Sequence, residues 1–376
     1  MHNTLTYYAD ALQSFDPNRI LLSRKNILHN YQYLQSLNPQ VQISPVLKSN
    51  AYGHGLIEIA SILDSVHAPF FCVNSFSEAY TLYKHGIHTP VHIMGYVDPE
   101  QIKHERLPFS YTTYNYHQLE AIDTYQPGCS VHIFVDTGMH REGFRLPLLP
   151  TLLKGLKQFP HIHITGLMSH FAQGENPTNS QTIMQLHYFQ EAKAILYAHG
   201  IYPQYEHIAA SAGYLNFAEN TKIGNIARVG KALYGVDPRG KSKALKPVLS
   251  LQTKIVQIKM LKKGDPIGYN ATFVAKKNIT IAVLPIGYAD GLDRRLSNNG
   301  SMLVGASICP IVGRVSMNIT TIDISQLPNA RVGQNVTVIS SEQEDKNCIE
   351  NIAVQCKTIP YDTSAGLSSL IHREVV

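Results

Sequence analysis

The sequence predicts a two-domain α/β protein: a parallel barrel of strand–helix units over residues 1–240, then a mostly-β domain over 241–376. Three observations carry this reading. At 376 residues the chain is longer than one core usually holds, so two domains are the natural division. From about residue 19 to 236 short apolar runs alternate with amphipathic segments. Beyond the Lys-rich stretch at 239–246 the helical period fades, and β-rich runs joined by turns take over.

Taken in order, the strand-like runs of the first part are Ile43–Leu47, Pro69–Val73, Val91–Met94, Val131–Val135, Ile162–Met168 and Tyr205–Ala209. Helical patterns lie between them. Ile27, Tyr31 and Leu34 share a face after a candidate Ser23 cap, and Leu56, Ile59, Ala60 and Leu63 share another. The segment from Ser180 to His199 stops at Gly200, a residue that tolerates the left-handed conformation in which helices end. Repetition of such units over roughly 220 residues fits a parallel barrel better than an open sheet. In the second part Val248–Leu261, Ile279–Ile286, Met302–Ile311, Ile319–Ile324 and Val336–Ile339 read as strands.

Composition narrows the function classes. Hydrophobic residues at 44% and charged ones at 16% describe a globular chain, not a disordered one. The net charge of +5 is interspersed, and its densest run, Arg239–Lys246, reads as a solvated linker, so no nucleic-acid partner is expected. Five widely spaced cysteines without a Cys-x-x-Cys pair point to reduced structural thiols and no metal centre. The opening MHNTLTYYADALQSF lacks the basic start and apolar core of a secretion signal, and no run is long enough to cross a bilayer. A cytoplasmic protein without a membrane partner is expected.

The stretch Pro45-Val-Leu-Lys-Ser-Asn-Ala-Tyr-Gly-His-Gly55 puts one lysine after an apolar run. If the first domain is a barrel, Lys48 stands at the C-terminal end of a strand, the rim where barrel enzymes place their chemistry. A lysine partly desolvated there can lose its proton and form a Schiff base with an aldehyde cofactor, with Tyr52 donating to a phosphate. On that position alone a surface or ion-pair role is the favoured reading.

The full string resembles the pyridoxal-phosphate (PLP) lysine motif of the alanine racemases. Further matches follow in family order: Asp136-Thr-Gly-Met-His-Arg141, Ser169-His170, His207-Ile-Ala-Ala-Ser211, Ala227-Arg228-Val-Gly230, Gly268-Tyr269-Asn, Gly287-Tyr288-Ala, Gly313-Arg-Val-Ser-Met317 and Pro360-Tyr361-Asp. The resemblance implies an N-terminal (β/α)8 TIM-type barrel, a C-terminal mostly-β domain, and racemisation of alanine by two bases. It implies that Lys48 binds the cofactor aldehyde and serves one face of the substrate, while Tyr269 serves the other. It further implies that His170 supports that tyrosine and is linked to Arg228, whose guanidinium faces the cofactor ring nitrogen.

By the same resemblance Tyr52, Ser211, Tyr361 and the backbone amides of Gly230 and Lys231 bind the phosphate. Arg141 and Met317 face the substrate carboxylate, and Tyr288 lines the entrance. A homodimer with sites shared between chains is implied, as is supply of D-alanine for cell-wall peptidoglycan. Arg228 can only donate, so the ring nitrogen must accept and stay unprotonated, which favours return of the proton to carbon over transamination. Competing readings are a serine or broad-specificity racemase, a non-catalytic PLP carrier and a basic amino-acid decarboxylase; the last pairs the ring nitrogen with a carboxylate, where this chain has Arg228.

Four departures from the family pattern stand out. Phe134 occupies the place of a carbamylated lysine, so Arg141 must be oriented by something else. Asn318 follows Met317 where aspartate is usual, Ala210 precedes Ser211 where asparagine is usual, and the ending Leu370-Ile-His-Arg-Glu-Val-Val376 is atypical.

Overall fold

A computed structural model describes residues 16–219, 221–240 and 243–376 of the chain. The segment examined for a secretion signal, residues 1–15, and Lys241 of the basic stretch lie outside the described residues.

Eight short strands run parallel: β1 (Gln42–Pro45), β2 (Phe71–Val73), β3 (Val91–Ile93), β4 (Phe109–Thr113), β5 (Ser130–Asp136), β6 (His163–Met168), β7 (Tyr205–His207) and β8 (Ile226–Val229). Ladders join β2 through β7 in sequence, and β8 pairs with β1. The two remaining seams are narrower. Val46 bridges to Cys72, with the Leu47 amide on the Cys72 carbonyl at 2.8 Å, and Ala210 bridges to Arg228, whose amide meets the Ala209 carbonyl at 3.0 Å. The sheet therefore closes on itself, giving the barrel that periodicity suggested.

Strands β4 and β8 were absent from the sequence reading for physical reasons. Phe-Ser-Tyr-Thr-Thr carries hydroxyls where a barrel strand usually carries aliphatics, and Ile-Ala-Arg-Val holds a charge in mid-strand. Both are nonetheless largely buried: His92 meets the Ser110 and Thr112 hydroxyls, and His207, His170 and the Ser169 carbonyl meet Arg228, while the Tyr111 hydroxyl has no partner among the described residues.

Helices cover the strands as expected. Ser23 Oγ accepts from the Asn26 amide at 3.2 Å and opens the helix Arg24–Leu37, which buries Ile27, Tyr31 and Leu34. A reciprocal cap between Ser75 and Glu78 opens the helix Phe76–Lys84. The helix Ser180–Ala198 ends just before Gly200, at φ +75°.

The second unit is built on a six-stranded sheet with the order Ser307–Pro310, Ser301–Val304, Asn335–Ile339, Leu249–Lys254, Arg19–Leu22, His372–Val375. Arg19–Leu22 runs antiparallel to Leu249–Lys254 and parallel to His372–Val375, so a strand from the chain's beginning belongs to this unit. Chain contacts accordingly divide the protein into 27–51 with 59–245, and residues up to 26 with 52–58 and 246–376. Two of the expected strands each fold as two, Met302–Ile311 turning back at Gly305 (φ +59°) and Val248–Leu261 breaking at Ile255 and Val256. Two helices, Ile349–Gln355 and Pro360–Ala365, appear where no helical period was read.

All five cysteines are buried and free. Among the described residues no helix is long and apolar enough to cross a membrane.

Candidate active site

Lys48 follows β1 at the C-terminal rim of the barrel, and the backbone after it is unusual. Ser49, Asn50, Ala51 and Tyr52 all take φ between 52° and 56°, forming one turn of left-handed helix. Such a turn costs roughly 1–2 kcal/mol per residue, so something must hold it. The Ala51 amide closes onto the Leu47 carbonyl at 2.8 Å, and the Ser49 amide donates to Glu78 Oε1 at 2.5 Å. Glu78 also caps its own helix through the Asn74 and Ser75 amides, which makes it a brace between the lysine turn and the next strand–helix unit. Sequence reasoning missed both the handedness and Glu78. The signal available was the run of small residues ending in two glycines, since small side chains tolerate positive φ best.

Burial pulls the Lys48 amine below its ordinary pKa, and the positive charges of Arg141 and Arg228 push it further in the same direction. That is the direction a Schiff-base lysine requires.

Arg228, on β8, is 2% exposed, and its donors can be accounted for one by one. One terminal nitrogen donates to His207 Nδ1 at 2.5 Å and to the His207 carbonyl at 2.9 Å. The other donates to the Ser169 carbonyl at 2.7 Å and to His170 Nδ1 at 2.9 Å. Those four bonds exhaust the terminal N–H groups of a guanidinium. Nε–H is the donor left over.

Because the arginine cannot accept, both histidine Nδ1 atoms must be bare, and each neutral ring then carries its proton on Nε2. Burial, followed by repulsion from Arg228, holds His170 down to about 3, so this assignment stands at neutral pH. Arg228 itself is lowered by burial to about 10 and stays charged there.

Ser211 opens the helix Ser211–Phe217 after β7, and its Oγ accepts from the Gly230 amide at 3.2 Å and the Ala232 amide at 3.3 Å. Those contacts are long, and the hydroxyl proton remains for an anion. Lys231 reaches Glu175 at 3.7 Å. Ala210, in the place usually held by asparagine, makes the seam with Arg228 through its backbone.

Arg141 sits in a loop whose path is set by Asp136. One carboxylate oxygen accepts from the amides of Gly138, Met139 and His140 at 2.9–3.0 Å. Gly143, at φ +111°, passes where a Cβ would stand 2.6 Å from the Asp136 amide nitrogen. The guanidinium is held by Glu142 Oε2, 3.1 Å from both Nε and a terminal nitrogen. Phe134 is buried in β5, and the carboxylate that meets the Arg141 guanidinium is that of the neighbouring Glu142.

In the second unit Tyr52 and Tyr361 meet edge to face, with ring centroids 6.4 Å apart. Gly53 (φ +84°) follows, so close to the Ser364 carbonyl that a Cβ would lie 1.8 Å from its oxygen. The carbonyl of Gly53 accepts from Arg373 at 3.0 Å, so the atypical C-terminus secures the Tyr52 segment. Tyr269 lies on a short turn after Gly268 and is 68% exposed. Tyr288 and Met317 are exposed too, brought together by the Tyr288 amide on the Ser316 carbonyl at 3.0 Å and the Ala289 amide on the Met317 carbonyl at 2.9 Å. Asn318 is exposed beside Met317. The barrel unit thus gathers Lys48, Arg141, His170, Ser211, Arg228, Gly230 and Lys231 around its rim, whereas Tyr52, Tyr269, Tyr288, Met317 and Tyr361 belong to the other unit.

Residues 22–238 match the family model for the alanine racemase N-terminal domain, and 248–375 match the C-terminal domain. The chain is 37% identical over 343 residues to an alanine racemase of Syntrophobacter fumaroxidans, covering 89% of this chain and 91% of that one. It is 32% identical over 374 residues to that of Sorangium cellulosum, covering 95% and 98%. The solved alanine racemase of Bacillus anthracis with bound L-Ala-P aligns at TM-score 0.88 and 30% identity, over 96% of this chain and 95% of that one. The alanine racemase of Bartonella henselae, solved with covalently bound pyridoxal phosphate, aligns at 0.84 and 27%, over 96% and 99%.

Proposed function

The chain belongs to the alanine racemase family, and from that premise we propose how its own residues carry out PLP-dependent interconversion of L- and D-alanine. The observation that carries the reading is the donor count at Arg228, a buried guanidinium with four N–H groups committed to protein and Nε–H left for a ligand that can only accept. An unprotonated pyridine nitrogen is such an acceptor. The lowered Lys48 amine and the spare hydroxyl proton of Ser211 fit the aldehyde and phosphate ends of the same group.

Pyridoxal phosphate, when bound, draws electron density from the α-carbon of an amino acid and so makes its α-proton removable. Lys48 Nζ would hold the cofactor until the substrate amine displaces it, and as a free amine would then take or return that proton on one face. Tyr269 Oη does so on the other, supported by the Nε2–H that His170 must present once Arg228 claims its Nδ1. Arg141, oriented by Glu142, takes the substrate carboxylate as a planar fork, with the Met317 amide beside it. Tyr288 lines the entrance, and Tyr52, Ser211, Tyr361 and the amides of Gly230 and Lys231 receive the phosphate. Exposure of Tyr269, Tyr288 and Met317 supports a homodimer in which each copy completes the other's site. The enzyme works in the cytoplasm, where its D-alanine supplies peptidoglycan synthesis.

The test is α-proton exchange in deuterated water, run on purified protein with its bound-cofactor spectrum recorded and several amino acids compared. Exchange at alanine with interconversion of the enantiomers is expected. Bound cofactor without exchange at any amino acid defeats the proposal.

A further inference from the structure

Behind Arg228 the barrel interior holds three histidines that the reaction does not use directly: His92 on β3, His132 on β5 and His207 on β7, each fully buried. His207 Nε2 lies 2.9 Å from His132 Nδ1. His132 Nε2 is buried and has no hydrogen-bond partner among the described residues. The His92 ring stacks on His132 at 4.0 Å, and its own nitrogens meet the hydroxyls of Ser110 and Thr112 at 2.9 and 2.8 Å. A hydroxyl can donate or accept, so His92 imposes nothing on its neighbours.

The proton positions follow from one end of this row. Arg228 donates to His207 Nδ1, so His207 carries its proton on Nε2 and donates it to His132 Nδ1. His132 then carries its proton on Nε2, where it points at no acceptor. The opposite arrangement, with His132 Nδ1 donating, would put the His207 proton on Nδ1, 2.5 Å from a cationic donor. An unpartnered neutral N–H costs about 1–3 kcal/mol, less than a proton facing a buried guanidinium. His132 also borders a cavity of about 620 Å3 with Phe70 and Tyr205.

We propose that His132 is a positioning residue for Arg228: its bare Nδ1 accepts the His207 Nε2–H and fixes the orientation of that ring, which keeps the His207 Nδ1 lone pair on the guanidinium and Nε–H aimed at the ring nitrogen. The site is built for it. Gly166, paired with His132 across β5 and β6, leaves room for the ring, because a Cβ there would lie 2.2 Å from His132 Cγ.

This inference rests on the racemase reading, and its test separates the two. Imidazole nitrogen NMR of the 15N-histidine-labelled holoenzyme reads which nitrogen of His207 and His132 is protonated, whatever the activity. Both are expected to be protonated on Nε2 alone. In His132→Phe the ring volume stays and the acceptor goes. The His207 Nε2–H signal should then shift to that of an unpartnered N–H, and alanine kcat should fall about tenfold with KM changed less than twofold. His132→Asn, whose Oδ1 can take the place of Nδ1, should restore the hydrogen-bonded Nε2–H signal and bring kcat within about threefold of wild type. Wild-type His207 protonated on Nδ1 overturns the proposal, as does a His132→Phe variant with unchanged Nε2–H signal and kcat, or an Asn variant no better than Phe. Should His132→Phe fail to fold, the wild-type spectrum and the Asn variant still decide. A holoenzyme that shows the expected tautomers and never racemises alanine defeats the functional reading alone.

Discussion

Acidification is expected to destabilise this protein well before its carboxylates titrate. His92, His132 and His207 are fully buried and neutral, and His170 beside Arg228 is neutral too. Burial is the chief cause for each, with Arg228 adding to it; His132 and His170 are held down to about 3 and the other two well below their ordinary value. Below an ordinary histidine pKa near ~6.5 the unfolded chain takes up four protons that the folded chain refuses, so stability falls as pH falls. Between pH 7.5 and 5.5 each such group removes about 1.4 kcal/mol, or about 5.5 kcal/mol for the four, against a typical total of about 5–15 kcal/mol. The carboxylates with lowered pKa, Asp64, Asp136 and Asp293, lose their contribution only at lower pH, because their ordinary value is 3.8. Urea unfolding followed by circular dichroism at pH 7.5, 6.5 and 5.5, with and without added pyridoxal phosphate, measures the loss. His92→Phe should reduce it by about a quarter. A stability that holds level from pH 7.5 to 5.5 and drops only below 4 would refute the reasoning.

Other outcomes follow from the same geometry. Lys48→Ala should retain no visible cofactor absorbance after dialysis; persistence of a lysine-type spectrum would place the attachment elsewhere. Tyr269→Phe should keep that spectrum and lose about 10²–10⁴-fold in racemisation rate, the range of a general base, and full activity would remove the second-base role. Gly166→Ala, which drives a Cβ into the His132 ring at 2.2 Å, should cost about 3 kcal/mol in urea unfolding, whereas wild-type stability would mean the ring is free to move. Glu142→Gln should raise the alanine KM by less than about fivefold, since the Arg141–Glu142 pair is exposed and such pairs are worth about 0–1 kcal/mol. A hundredfold effect would show the pair to be far stronger in the assembled site.

Legibility in the sequence tracked how local the cause was. Lys48 and its small-residue neighbours are contiguous, so the site's anchor could be read as a string. The barrel was readable from β1, β2, β3, β5, β6 and β7, whose apolar runs reflect burial on both faces. β4 and β8 were not, because the partners that let Thr112 and Arg228 be buried lie far away in sequence: His92 for Thr112, and Ser169, His170 and His207 for Arg228. The same applies to Arg19–Leu22, which reads as a lead-in to the first helix and pairs with strands beginning at 249 and 372. His132 is one of 18 histidines, and nothing in its neighbours along the chain distinguishes it; His207 opens a motif, yet its bond to His132 is not local. Glu78 is similarly silent, for its cap is a local feature and its bond to the Ser49 amide is not.

The left-handed turn after Lys48 restricts what can ever replace its members. Residues 49 to 52 run in the mirror image of the usual helical sense, so a side chain branched at Cβ would collide with its own carbonyl at each of them. Drift at 49 to 51 is confined to small or amide-bearing residues, and at 52 to residues unbranched at Cβ, whatever chemistry surrounds them. The lysine's aim is therefore guarded by chirality, a constraint that no change in the substrate or the pocket walls can relax.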